Sequence, residues 1–157
     1  MGLTIRRALT PDAEAICALN QFVQALHAEA EPDRFKPPGP DVHPASLIAG
    51  WIVAPDAVFL VAEEEREIAG YLYAQILRVA GTTYAFAREE ILIHHLCVRP
   101  ESRRKGVASS LLDAARADGQ ALGITTFTLE VWSFNEAARA FYRRRGFEPY
   151  AERLRLR

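Results

Sequence analysis

The sequence predicts an α/β protein of the α+β type, with a mixed, mostly antiparallel twisted sheet and helices on both faces. Three observations predict it. Two apolar runs, Val58 to Ala62 and Ile68 to Val79, flank the short polar turn Glu63-Glu64-Glu65-Arg66-Glu67, as a hairpin requires. Two further strand-like runs, Ile91 to Val98 and Thr125 to Val131, are separated by a helical pattern. Such a unit crosses over right-handed and leaves its two strands parallel. Amphipathic segments before and after this set provide helices for the faces of the sheet.

Each element has its own local reason. Leu3 to Ala8 alternates apolar and polar residues and reads as a first strand. Thr10-Pro11-Asp12 starts a helix, with Thr10 as cap and Pro11 in the first turn. Ile16, Leu19, Val23 and Leu26 continue it at helical spacing to about Ala30. Residues 31–44 carry six of the prolines and glycines and read as a loop. Ala45 to Val53 forms a second short helix, and Gly81 to Glu90 is a connection. Ile91 to Val98 is apolar apart from His94 and His95, as a central strand should be. Gly106 to Leu122 presents Ala108, Leu111, Leu112, Ala115 and Leu122 on one helical face. Ser133-x-x-Glu136 reads as a capping box for a helix that stops at Gly146, and Phe147 to Leu156 as a last strand.

The 157 residues suit one domain spanning 1–157, and 50% hydrophobic with 25% charged residues is ordinary globular composition. No apolar run approaches the roughly 20 residues that cross a bilayer. The first ten residues lack the apolar stretch of a secretory signal, which places the protein in the cytoplasm. Cys17 and Cys97 form neither a metal-ligand spacing nor a disulfide framework. The net charge of −1 hides an acidic first half and a basic second half. The basic half can attract a polyanion, although a solvated surface explains it as well.

The most informative segment is Val98-Arg-Pro-Glu-Ser-Arg-Arg-Lys-Gly-Val-Ala108, between the end of a strand and the start of a helix. A helix N-terminus offers unpaired N–H groups and partial positive charge to phosphate. Arg103, Arg104 and Lys105 add cationic donors, Gly106 permits close backbone approach, and Ala108 keeps the first turn open. Neither a P-loop spacing nor a GxGxxG fingerprint is present.

Arg103-x-x-Gly106-x-Ala108 resembles the Q/R-x-x-G-x-G/A pyrophosphate loop of the GCN5-related N-acetyltransferases, the GNAT family. Asn135-Glu-Ala-Ala-Arg-Ala-Phe-Tyr142-Arg-Arg-Arg-Gly-Phe147 is similar to the family's N-x-x-A-x-x-x-Y-x-x-x-G-F helix, one strand later in the chain. The resemblance implies that the central parallel strands splay apart to hold acetyl-CoA. It implies backbone contacts from Cys97 and Val98, pyrophosphate contacts from Arg103, Arg104, Lys105, Gly106, Val107 and Ala108, and a contact from Asn135. It further implies that Tyr142 protonates the departing thiolate. Tyr142 beside Phe141 also suits a core position, and Asn135 a simple first-turn role.

The family often carries a Glu where this chain has His94 and His95. Alternation puts these two on opposite sides of the strand. An imidazole suits general-base work at neutral pH, a hydrogen-bonded core histidine is the plain alternative, and Glu90 is a further candidate base. His27 and His43 read as surface residues, and Cys97 as a small buried residue rather than a nucleophile. The acceptor region implied by the family includes His27, Glu29, Glu31, Asp33, Phe35 and Lys36. The expected partner is an amine-bearing acceptor, with no nucleic acid, no membrane and no metal, and a homodimer is compatible with the sequence. A non-catalytic acyl-CoA sensor of the same fold is the competing reading.

Overall fold

The computed structural model describes residues 2–157. One sheet runs in the order β1 (Thr4–Arg7), β2 (Ala57–Glu64), β3 (Glu67–Val79), β4 (Arg88–Val98) and β5 (Phe127–Leu129). The first three pairings are antiparallel and β4 with β5 is parallel. Four helices accompany it: α1 (Ala13–Ala30), α2 (Ala45–Ile52), α3 (Val107–Ala121) and α4 (Glu136–Arg144). No described helix is long and apolar enough to cross a membrane.

Strand alternation sorts the core into two layers. Val58, Leu60, Ala62, Leu72, Ala74, Ile91 and Ile93 face α3, meeting Val107, Leu111, Leu112 and Ala115. Phe59, Val61, Tyr71, Tyr73 and Cys97 face α1 and α2, meeting Ala13, Ile16, Leu19 and Ile48. Full burial of a Leu or Ile stabilises by about 1.5–3 kcal/mol, so these layers position everything else. α3 lies very close to the sheet. A Cβ at Gly119 would stand 2.7 Å from the Ile124 oxygen and 3.0 Å from Ile91 Cδ1. At Gly70, it would stand 2.7 Å from the Cys97 oxygen and 3.2 Å from Val107. No side chain fits at either place.

Several expectations are corrected. Thr10 does not cap the first helix. Residues Thr10–Asp12 form a 3-10 turn, and the Asp12 carboxylate accepts from Leu9 N–H at 2.7 Å while gripping Arg6. Ser133 opens no capping box, because the cap of α4 is Asn135, whose Oδ1 accepts from Ala138 N–H at 3.2 Å. β4 begins at Arg88, three residues before the expected start, because β3 is long enough to pair with it there. β5 is only Phe127–Leu129, shorter than the expected Thr125 to Val131, because its partner turns away after Ile93. The expected last strand from Phe147 to Leu156 does not form. Pro149 has no N–H to donate, and Arg155 is instead held by both carboxylate oxygens of Glu31 at 2.9 and 2.8 Å.

Candidate active site

The site begins where β4 leaves β5. Pairing covers Ile91 with Phe127 through Ile93 with Leu129 and then stops. On the other side, Tyr73 pairs with His95 and Ala74 with Ile93, so His94 is an extra residue in a bulge. Beyond the bulge the strand remains paired only with β3. Arg99 N–H donates to the Ala69 oxygen at 2.9 Å. Alternation then turns the backbone groups of Cys97 toward β3 and those of Leu96 and Val98 toward the gap. Val98 thus has its backbone groups toward the gap. The backbone of Cys97 faces β3, its Sγ donates to the Leu19 oxygen at 3.2 Å, and burial pushes its thiol up to about 11.

At the wide end of the gap sits the loop from Arg99 to Gly106. Ser102, 1% exposed, anchors it by donating to Glu64 at 2.8 Å and accepting from Arg99 Nε at 3.0 Å. Arg99 also reaches Glu67 at 2.8 Å, which fastens the loop to the β2–β3 hairpin. Arg103 Nε donates to the Val98 oxygen at 3.0 Å. Arg104 and Gly106 take positive φ, 60° and 85°, which turns the chain into α3. Among the described residues, the N–H groups of Arg104 through Ala108 have no backbone acceptor. Arg103, Arg104 and Lys105 are exposed, while Val107 is buried beneath them. A Cβ on Gly106 would meet no protein atom within 4 Å, so the approach to these donors is open. A row of free N–H groups flanked by three cations fits a pyrophosphate.

α4 carries Tyr142. Gly146, at φ 89°, ends the helix, and Phe147 N–H donates back to the Tyr142 oxygen at 3.0 Å. The Tyr142 ring packs edge-on against Phe141 at 5.3 Å and Phe147 at 5.4 Å. Its hydroxyl makes no hydrogen bond among the described residues, and burial pushes it up to about 12. A protonated phenol without a hydrogen-bond partner among the described residues is thereby held on α4 between Phe141 and Phe147. Asn135 spends its oxygen on the cap and keeps its amide N–H₂ free. Neither Asn135 nor Tyr142 makes a hydrogen bond or ring contact with the histidines of β4.

His94 and His95 do not point to opposite sides. The bulge turns both toward α1 and α2. His94 stacks on Tyr73 at 5.0 Å and its Nε2 lies 3.2 Å from Gln75 Oε1. Gln75 Nε2 in turn donates to Asp56 at 2.6 Å. His95 Nδ1 lies 3.3 Å from the Tyr71 hydroxyl. Burial, then the nearby His43, His94 and His27, push His95 down to about 3, and burial also lowers His94. Glu90 lies farther along β4, where it accepts from Arg88 at 3.2 Å and Thr128 at 3.5 Å.

Sequence reasoning missed part of this face. His43 is half-buried and not lone. It lies 5.3 Å from the His95 ring and 5.4 Å from Trp51, with Nδ1 2.7 Å from Asn20 Oδ1. Asn20 Nδ2 donates to the Tyr71 hydroxyl at 2.9 Å. Gln21 and Gln24, also on α1, bind the backbone of the following loop at Gly39, Val42 and Lys36. The available signal was the pair Asn20 and Gln24, polar residues at the i, i+4 spacing of the helix's buried face. His27 is not a plain surface residue either: it stacks on Phe35 at 5.0 Å and meets Phe134 at 5.7 Å. Glu31 of the same loop is engaged by Arg155.

The chain matches the Acetyltransferase (GNAT) family over residues 20–147. Its fold is similar to that of the BH1408 protein from Bacillus halodurans, at 24% identity and TM-score 0.94, with 98% of each chain covered. It is also similar to a predicted acetyltransferase with acetyl-CoA from Clostridium acetobutylicum, at 18% identity and TM-score 0.74, covering 99% and 96%. The aminoglycoside acetyltransferase AAC(6')-Iy, in complex with a bisubstrate analogue built on CoA, aligns at 18% identity and TM-score 0.73, covering 100% and 98%. No curated protein matches the sequence.

Proposed function

This chain belongs to the acetyltransferase (GNAT) family, and on that premise we propose that it transfers the acetyl group of acetyl-CoA directly to a primary amine. The observation that carries the reading is the parting of β4 from β5 after Ile93, with free N–H donors and three cations at its wide end. Two of the similar structures hold acetyl-CoA or a CoA-linked analogue, which supports the same cosubstrate here.

When bound, acetyl-CoA supplies an acyl group already activated as a thioester. The N–H groups of Arg104 to Ala108 bind the pyrophosphate, with Arg103, Arg104 and Lys105 neutralising its charge. Leu96 and Val98 present backbone groups to the arm in the gap, as a neighbouring strand would, and the Asn135 amide is free to donate to it. The Tyr142 hydroxyl holds the proton that the leaving sulfur needs. The histidine cluster on the α1 side of β4, with His43 beside it, receives the acceptor and the proton it sheds.

The acceptor is a small amine, an amino acid or a protein amine. A non-catalytic sensor would bind the same cosubstrate but has no need of a half-buried, unpartnered phenol, so Tyr142 favours the enzyme. Calorimetric titration with acetyl-CoA, followed by thiol release against a panel of amines, tests both halves. Binding without release for any amine would leave the sensor as the reading.

A further inference from the structure

From the α1 face of the sheet we infer that Asn20 is a positioning residue that sets opposite tautomers on His43 and His95, leaving His43 Nε2 as the base that takes the acceptor's proton. This rests on the acetyl-transfer reading above.

The inference follows from the donors and acceptors in one continuous chain. Asn20 is 3% exposed and Tyr71 1% exposed, so neither can fall back on water. Asn20 Oδ1 can only accept, so the atom 2.7 Å away, His43 Nδ1, must carry a proton. A neutral imidazole protonated at Nδ1 has its lone pair at Nε2. Asn20 Nδ2 can only donate, so the Tyr71 oxygen accepts from it at 2.9 Å. The Tyr71 proton is then directed to His95 Nδ1 at 3.3 Å, which puts the His95 proton on Nε2. One buried amide thus fixes a lone pair at His43 Nε2 and an N–H at His95 Nε2, on two rings 5.3 Å apart. Asn20 also breaks any proton wire between them, because an amide does not pass a proton on. The network orients and does not conduct.

Two independent features mark His43 as held for a purpose. Its φ is +48°, and it precedes Pro44. A left-handed backbone is costly for a non-glycine residue and persists where surrounding contacts enforce it. Those contacts exist: Gln21 binds both ends of the segment at Gly39 and Val42, and Trp51 flanks the ring. The groups facing His43 are Asn20 from α1, Trp51 from α2, and His95 from β4 with Tyr71 behind it, and among the described residues no carboxylate hydrogen-bonds to it. Burial lowers His43, which keeps it neutral at neutral pH.

The step balances. The amine nitrogen forms a bond to the carbonyl carbon as the carbon–sulfur bond breaks. The nitrogen's surplus proton goes to His43 Nε2, and the sulfur takes a proton from the Tyr142 hydroxyl.

The test has a spectroscopic arm and a kinetic arm. In protein labelled with 15N-histidine, two-bond 1H–15N correlation at neutral pH reads each tautomer directly. Protonation at Nδ1 in His43 and at Nε2 in His95 is expected. Tyr71→Phe should shift His95 from its tautomer and leave His43 unchanged. The same network with the amide turned over would show the reverse pair, and that result overturns the proposal. In the kinetic arm, His43→Gln should lower kcat/KM by about 10²- to 10⁴-fold and erase the acid limb of its pH profile, with acetyl-CoA affinity kept. His94→Gln should retain that limb. Loss of the limb in His94→Gln instead of His43→Gln would overturn the role of His43. A parent that binds acetyl-CoA yet acetylates no amine would overturn the transfer reading and the base together, while the tautomers still decide the role of Asn20.

Discussion

Arg103 Nε donates to the carbonyl oxygen of Val98 at 3.0 Å, so an acceptor that faces the gap at the end of β4 is already taken. The groups left open at this end are the N–H donors of the loop from Arg104 to Ala108, which suit an anion.

Gly106→Val tests those donors. Gly106 has φ 85° and open space where its Cβ would go. Valine adds left-handed strain of about 1–2 kcal/mol and puts methyl groups where phosphate would approach. Acetyl-CoA affinity, measured by calorimetry, should drop by at least about tenfold, which is about 1.4 kcal/mol. Unchanged affinity in a folded variant would remove this loop from the site.

Tyr142→Phe separates catalysis from packing. The ring keeps its contacts with Phe141 and Phe147, and only the proton donor is lost. The rate of thiol release should fall about 10²- to 10⁴-fold with acetyl-CoA affinity nearly constant. Equal rates in variant and parent would assign Tyr142 to the core alone.

His95 should make the protein acid-sensitive. Burial and the other histidines hold it down to about 3, whereas an imidazole in an unfolded chain sits near 6.5. As pH drops below about 6.5, the unfolded chain binds a proton that the folded chain refuses until about 3. Stability from this group is intact above that window and falls through it, by about 1.4 kcal/mol per pH unit at most. Denaturant unfolding across that range should show a shallower decline for His95→Gln than for the parent. Identical slopes would show that His95 ionises freely in the folded protein.

Gly119→Val probes the seat of α3. The added Cβ would meet the Ile124 oxygen at 2.7 Å and the Phe127 ring at 2.9 Å, which forces the helix off β4 and β5. A loss of about 1–3 kcal/mol in denaturant unfolding is expected. An equally stable variant would mean that the helix shifts without cost.

Much of the fold was legible because the signals are local. The apolar runs of β2 and β3 around their polar turn, the apolar stripe of α3 and the Gly146 stop each act within a few residues. The bulge was not legible, because Ile91 to Val98 is apolar on both sides and alternation there carries no register. Phe147 to Leu156 reads as a last strand but lacks a partner, and a sequence cannot supply one. The loop around Gly106 and the position of Tyr142 were readable as motifs, whereas Asn20 and His43 meet only through folding, 23 residues apart.

The extra residue at His94 also works as a phase shift. Upstream of it, odd-numbered Ile91 and Ile93 face α3; downstream, even-numbered Leu96 and Val98 do. Had the strand kept its beat, His95 and Cys97 would project under α3, and Leu96 would lie against α1. Removing one residue between Ile93 and Leu96 would restore unbroken alternation in the pairing with β3. The placing of both histidines on one face is in this sense a matter of counting, one residue more than a regular ribbon would take.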